Sequence, residues 1–292
     1  MSVTKDEPLA PLQTLYDAAT GADVPLPPAL AALYGALRLA KPTSRPLVIS
    51  NFVSTLDGVV ALTEPGYEGG GAISGHDRHD RAVMGLLRAV SDAVVVGAGT
   101  LRSVPRSLWT AEYIFPPLAA EYAALRAAMG KSGPPLNVIV TARGELDLTL
   151  PVFASGAVPT LIVTTPIGAA SLVSREPPAD LRIVSGGAPN RVLASHVLAA
   201  ITASLPQCET ILVEGGPHVM ADFFGEGLLD ELFLTLAPQV AGRDTAHPRV
   251  GLVEGAVFLP QQPVWGGLAS VRRSNSHLFL RYGFPPASEP TP

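Results

Sequence analysis

The sequence predicts a three-layer α/β domain built on a mixed, mostly parallel sheet flanked by helices. Three observations carry that prediction. Short, almost wholly apolar runs rich in β-branched residues recur from Arg45 onward, as strands covered on both faces require. Stretches of helical periodicity separate them, the alternation expected of parallel βαβ units. In the last third Glu231–Leu236 alternates in polarity, and Arg272–Ser276 meets Leu278–Tyr282 without room for a helix. Those segments read as antiparallel strands closing one side of the sheet.

Taken in order, the first 44 residues differ from the rest. Leu30, Leu33, Tyr34 and Leu37 stand at i, i+3, i+4 and i+7, with Pro25, Pro27 and Pro28 before them and Pro42 after. Residues 1–44 therefore read as a helical extension that docks on a domain spanning 45–285, and 286–292 as a disordered tail. Strands are predicted at 47–53, 93–96, 136–140, 160–163, 181–184 and 210–213. Helices are predicted at 77–90, 118–129, 190–205 and 218–225. Ser74-Gly75-His76-Asp77 fits a capping box at the start of the first of these.

Composition narrows the function classes. Charged residues make up only 15% of the 292, and mean hydropathy is +0.32. The longest uncharged run, Leu148–Ser174, is nevertheless broken by Pro151, Pro159 and Pro166, so it reads as strands and loops rather than a membrane span. The N-terminus lacks an apolar signal core, and cytoplasm is the expected compartment. Twenty basic against 25 acidic residues give a net charge of −5 with no basic stripe, which argues against a nucleic-acid partner. The single cysteine, Cys208, excludes internal disulfides and cysteine-rich zinc sites.

Three predicted strands end in glycine-rich turns that open into helices: Val95–Thr100, Val184–Gly187 and Leu212–Pro217. Glycine there lets backbone approach a ligand, and the following helix aims free N–H groups at an anion. Each turn alone also suits an ordinary strand-to-helix corner. Together they suggest a dinucleotide or a phosphorylated ligand at the carboxyl ends of the strands. The Rossmann fingerprint is not met, because Arg102 stands where the third glycine belongs. Asp57, in Ser54-Thr55-Leu56-Asp57-Gly58, is a candidate substrate ligand or proton source, although Asp-Gly is also a common turn. Glu214 lies at a strand end beside two glycines and is expected to face the crevice. His76 and His79, with Asp77 and Asp80, have a spacing that can hold a metal, but they read better as a solvated helix face; no metal is expected.

Asn51–Gly58, Leu87-Arg88-Ala89 with Asp92–Thr100, Val213–Pro217, and Leu229–Leu232 with Ala237-Pro238 together resemble the pyrimidine reductase domain of riboflavin biosynthesis. The blocks run in order from about Arg45 to Tyr282. The resemblance implies a dihydrofolate-reductase-like fold, an NADPH-dependent reductase and a homodimer. It implies a substrate that is a ribosylamino-pyrimidine phosphate, whose ribosyl group becomes a ribityl chain. By position, Val53 would line the nicotinamide pocket. Gly97, Gly99, Thr100, Gly215, Gly216 and Pro217 would contact the cofactor, and Thr141 and Arg143 its 2′-phosphate. Arg88, Leu108 and Glu214 would hold the substrate, Arg88 through its phosphate.

The sequence also departs from that pattern. Ala72 stands where the family carries tryptophan, Val104 where an acid is usual, and Ala111 where an arginine would meet the phosphate; Arg106 is a substitute. The zinc deaminase of bifunctional members needs His-x-Glu and Pro-Cys-x-x-Cys, which one cysteine cannot supply, so a stand-alone reductase domain is expected. The chemistry implied is hydride transfer to a C=N or C=O carbon. Asp57 is the first candidate to orient the substrate or relay the proton, Glu214 the second, and water a third. Two alternatives stay open: a dihydrofolate or pterin reductase, and a non-catalytic nucleotide-binding protein of the same fold.

Overall fold

A computed structural model of the chain describes residues 8–62, 64, 66–67, 69–179 and 181–284. The tail expected at 286–292 lies outside the described residues. The chain opens with β1 (Gln13–Asp17) and β2 (Ala22–Asp23), then α1 (Pro28–Tyr34) and β3 (Arg38–Leu39). Next come β4 (Leu47–Ser54), α2 (Gly70–Ser74), α3 (Arg78–Val90), β5 (Ala93–Gly97) and α4 (Ala98–Ser103). They are followed by α5 (Ala111–Ile114), α6 (Ala119–Ala128), β6 (Leu136–Thr141), α7 (Pro151–Ala154) and β7 (Thr160–Thr164). After α8 (Pro166–Val173), β8 (Arg182–Ser185), α9 (Ala194–Ser204) and β9 (Thr210–Val213) come α10 (Pro217–Gly225) and β10 (Glu231–Leu236). The hairpin of β11 (Gly267–Ser274) and β12 (His277–Gly283) completes the fold.

Ten strands form one sheet in the order β1-β11-β12-β10-β4-β9-β5-β6-β7-β8. From β10 to β8 every pairing is parallel, and β12, β11 and β1 add antiparallel at one side. Side-chain alternation divides the core into two layers. Ile49, Val94, Val96, Ile139 and Leu212 pack with α1, α3 and α6, while Val48, Val95, Val138, Ile211 and Val213 pack with α9 and α10. Both faces of the central strands are covered, which is why those strands read as continuous apolar runs.

Two local expectations need correction. The extension before Arg45 holds the helix that its periodicity indicated, but it also contributes β1, a strand of exposed residues that pairs with β11. A strand with no buried side leaves no period in the sequence. Arg272 ties this segment down: it is buried, stacks on the Tyr34 ring at 4.2 Å, and donates to Asp17 Oδ2 (2.9 Å), Tyr34 O (2.8 Å) and Ala36 O (2.9 Å). The second correction concerns the start of α3. Ser74 is the last residue of α2, which Gly75 closes at φ +62°, and the cap is Asp77, accepting from the Asp80 N–H at 2.9 Å.

The topology creates a crevice. From β5 the chain winds outward through β6, β7 and β8, then returns through α9 to place β9 between β4 and β5. It continues through α10 to β10 on the far side of β4. Winding thus reverses at β4, β9 and β5, and an open α/β sheet binds ligands outside the carboxyl ends of such strands. Among the described residues no helix is long and apolar enough to cross a membrane.

Candidate active site

A cleft of about 1770 Å³ opens at those carboxyl ends. That is larger than a pocket for one drug-sized molecule and leaves room for a dinucleotide with a second ligand. Two of the predicted glycine turns form its floor. The Gly97 N–H donates to Gly215 O at 2.7 Å, locking the end of β5 to the end of β9. Gly215 has φ +124°, and a Cβ there would stand 3.0 Å from Thr100 Oγ1. At Gly97 a Cβ would meet Gly216 N at 3.2 Å. Side chains are crowded out of this junction, and the backbone of both turns lines the cleft. Gly216 caps α10 without a side-chain hydrogen bond; Pro217 at the first helical position has no N–H, so His218 and Val219 carry the donors that the first turn of the helix leaves without an intrahelical acceptor. This set of donors fits a pyrophosphate.

Val53, Gly97, Gly99, Thr100, Thr141, Arg143, Gly215, Gly216 and Pro217 all line the cleft, as do Arg88 and Glu214. Gly70 packs so tightly on Val53 that a Cβ would lie 2.9 Å from Val53 Cγ1. That wall is therefore flat, where the family pattern would put a tryptophan two residues on. Thr141 is buried and its hydroxyl accepts from the Gly144 N–H at 3.1 Å, so it shapes the turn that carries Arg143. Arg143 itself is exposed at the rim. Arg102 and Arg106 are also exposed on the cleft, and none of the three makes an ion pair among the described residues.

Four expectations change. The third glycine turn, at Gly186-Gly187, is not part of the cleft; a Cβ on Gly187 would stand 2.9 Å from His196 Nδ1 of α9, a packing requirement. Leu108 packs against the core under the cleft instead of lining it. Asp57 also lies outside the lining. Its Oδ1 accepts from the Thr55 hydroxyl (2.6 Å) and the Ala241 N–H (3.0 Å), and its Oδ2 from the Gly242 N–H (2.8 Å). Those donors hold the carboxyl far below the usual carboxylate range, the Thr55 hydroxyl most of all. Such a group fastens two loops together and has no proton to give.

The fourth change concerns Arg88. Its guanidinium sits on Glu214, with Nε at 3.0 and 3.1 Å from the two carboxylate oxygens and Nη2 at 2.7 Å, while Nη1 donates to Thr110 O at 3.1 Å. The two side chains are only 4% and 6% exposed. A fork-on-fork pair this buried organises the cleft wall and leaves Arg88 little to offer a phosphate. Glu214, engaged on both oxygens, is placed as an acceptor rather than an acid.

Two further residues border the cleft that the sequence did not single out for the reaction. Trp109, 2% exposed and at φ +41°, lies under the cleft wall beside the Thr110 carbonyl that receives Arg88. Asp80, 3% exposed, faces the cleft from the first turn of α3. Within the His76–Asp80 stretch His76 is exposed as expected, whereas its far end is not a solvated face. His79 is buried as well, its Nε2 2.8 Å from Ala10 O and its Nδ1 3.0 Å from the Ser274 hydroxyl. In the sequence Asp80 read only as part of a solvated His-Asp helix face, which hid it.

Comparison with known proteins adds three findings. Residues 46–258 match the model of the RibD C-terminal domain. The chain is 23% identical over 210 residues to the riboflavin biosynthesis protein RibD of Aquifex aeolicus, covering 71% of this chain and 51% of that protein. It thus spans about half the length of that curated relative. Among solved structures it is similar to a pyrimidine reductase-like protein of Corynebacterium diphtheriae (TM-score 0.63, 20% identity, 82% of this chain and 92% of that one). A diaminohydroxyphosphoribosylaminopyrimidine deaminase/5-amino-6-(5-phosphoribosylamino)uracil reductase of Thermotoga maritima gives a TM-score of 0.60 at 20% identity, over 83% of this chain and 57% of that one. At these identities the structures speak for the fold.

Proposed function

The chain belongs to the RibD C-terminal domain family, and from that premise we propose that it is an NADPH-dependent oxidoreductase that reduces a ribosylamino-pyrimidine of the 5-amino-6-(5-phosphoribosylamino)uracil type. The observation that carries the reading is the junction of Gly97 with Gly215 and Gly216, where side chains are crowded out and two glycine turns meet beside the start of α10 on the cleft. NADPH, when bound, supplies the hydride. The chain's own part is binding and orientation. Gly97, Gly99, Thr100, Gly215, Gly216 and Pro217 would hold the pyrophosphate, and Val53 with Gly70 would give the nicotinamide a flat wall. Arg143, presented by the Thr141 turn, would take the 2′-phosphate. Arg106 replaces Arg88 as the proposed ligand of the substrate phosphate, because Arg88 is committed to Glu214. Glu214 would accept from substrate N–H or O–H groups.

A cytoplasmic setting and a homodimer belong to the same reading. The run from Val257 to Leu268 exposes Val257, Leu259, Trp265 and Leu268, apolar surface of the kind that marks an interface. Light scattering should give about twice the 30.3 kDa chain mass; the chain mass alone would remove the dimer.

The engagement of Arg88 also favours a second reading, reduction of a pterin or dihydrofolate that carries no phosphate. Loss of NADPH absorbance separates the two. Consumption with the ribosylamino-pyrimidine phosphate is the expected result. Consumption with dihydrofolate alone would overturn the substrate, and none with either would leave a nucleotide-binding protein.

A further inference from the structure

We propose that Asp80 is the residue that delivers the proton to the substrate in this cleft. The inference rests on the reductase reading, and it fills the role for which Asp57 and Glu214 are unsuited. The carboxyl belongs to the first turn of α3 and lines the cleft while being almost wholly withdrawn from solvent. Thr235 on β10 and Ser74 on α2 stand beside it and favour its ionised form, while the Ser74 hydroxyl donates to Gly71 O at 3.3 Å. Thr235 lies directly opposite Val53 in the parallel register of β10 and β4. Adjacent strands are about 4.8 Å apart, and Asp80 and Val53 line the same cleft, so the carboxyl stands beside the strand that neighbours the wall assigned to the nicotinamide.

Of the acids on the cleft, Glu145 is exposed, Glu254 accepts from the Gly251 N–H at 2.8 Å, and Asp80 is the buried one without a cationic partner among the described residues. Glu214 and Asp222 are paired with Arg88 and Arg191. No lysine or arginine pairs with Asp80 among the described residues. Its charged surroundings are Asp77, the cap of the same helix, and His277 on β12, whose ring bonds to Ser74 O at 3.0 Å and stands 3.8 Å from Asp77 Oδ2. Asp77 disfavours the ionised carboxyl and His277 favours it. Burial outweighs both, and the carboxyl is pushed up to about 6. A group of this kind still holds protons near neutrality, as a general acid must.

The step balances as follows. The electrophilic carbon of a substrate C=N bond receives hydride from reduced nicotinamide, and the π pair of that bond moves onto nitrogen. The Asp80 O–H bond breaks, the N–H bond forms, and the products are the amine, the oxidised nicotinamide and the Asp80 carboxylate. Water at the cleft mouth then restores the proton.

Asp80→Asn keeps the shape and the capacity to hydrogen-bond but cannot release a proton. The expected result is a fall in kcat of about 100-fold or more, with the NADPH-induced rise in unfolding midpoint unchanged. Wild-type kcat should decline as pH rises through about 6, and the variant should lack that break. Thr235→Val, which removes a hydroxyl that favours the ionised form, should move the break to higher pH. A second readout needs no substrate. Because the folded pKa lies above the unfolded value of 3.8, wild type loses stability relative to Asp80→Asn between about pH 4 and 7. The two unfolding midpoints should therefore agree near pH 4, and the variant's should be the higher at pH 8. Near-wild-type kcat in Asp80→Asn, a retained break, or midpoints that run parallel across pH would each overturn the proposal. If wild type itself consumes no NADPH with any pyrimidine or pterin, the reductase reading fails, whereas the midpoint comparison still judges whether Asp80 holds a proton.

Discussion

Removing the Glu214 carboxylate would leave the Arg88 guanidinium buried with only the Thr110 carbonyl for a partner. Breaking one side of such a pair typically costs about 3–5 kcal/mol, far more than the pair contributes net. Glu214→Ala should lose that much in urea denaturation, and a loss below about 1 kcal/mol would show that the pair is not buried as described. Residue identity was thus legible in the sequence, but not residue role. Asp57 and Asp80 are both aspartates near a strand or helix end. Asp57 stood out because a conspicuous Asp-Gly turn follows β4, yet its oxygens are used by Thr55, Ala241 and Gly242. Asp80 read as part of a solvated helix face, and only the tertiary fold turns it into a buried acid. Roles of this kind depend on contacts between Asp57 and residue 241, or Asp80 and residue 235, which no local spacing encodes.

At the scale of elements the sequence was more informative. β4, β5, β6, β7 and β9 fall within a residue or two of their apolar runs, because strands buried on both faces leave an unbroken signature, and the largely exposed edge strand β8 falls equally close. Among the helices, α3 and α10 match their predicted bounds closely, whereas α9 begins four residues later than expected. The elements that escaped notice include the short α2, α5, α7, β2 and β3, the helix α8 inside an uncharged run, and the exposed β1. One packing contact fixes how α3 meets α6. A Cβ on Gly85 would lie 2.6 Å from the Tyr122 ring, whose hydroxyl donates to Ala82 O at 2.8 Å. Tyr122 is fully enclosed, so it cannot yield. Gly85→Val should therefore destabilise the fold by about 1–3 kcal/mol or more, and α3 carries both Asp80 and Arg88. A neutral effect on the denaturation midpoint would mean that the two helices pack differently.

For the whole molecule, a net charge of −5 sits beside a cleft that presents Arg102, Arg106 and Arg143. That local reversal of sign suits a ligand bearing several phosphates. The glycine turns that build the floor were legible because a backbone approaching this closely tolerates no other residue. The unequal fate of the three turns was not, since only the strand order places β5 beside β9 and leaves β8 at the sheet edge. The central claim is that this junction holds a reduced nicotinamide dinucleotide, and thermal unfolding with saturating NADPH, NADH or neither tests it most directly. Ligand at 100 times its dissociation constant stabilises by about 2.7 kcal/mol, which should raise the midpoint by roughly 5 °C. NADPH should produce that rise and NADH a smaller one, given Arg143 at the proposed 2′-phosphate position. An unchanged midpoint with both dinucleotides would contradict the claim.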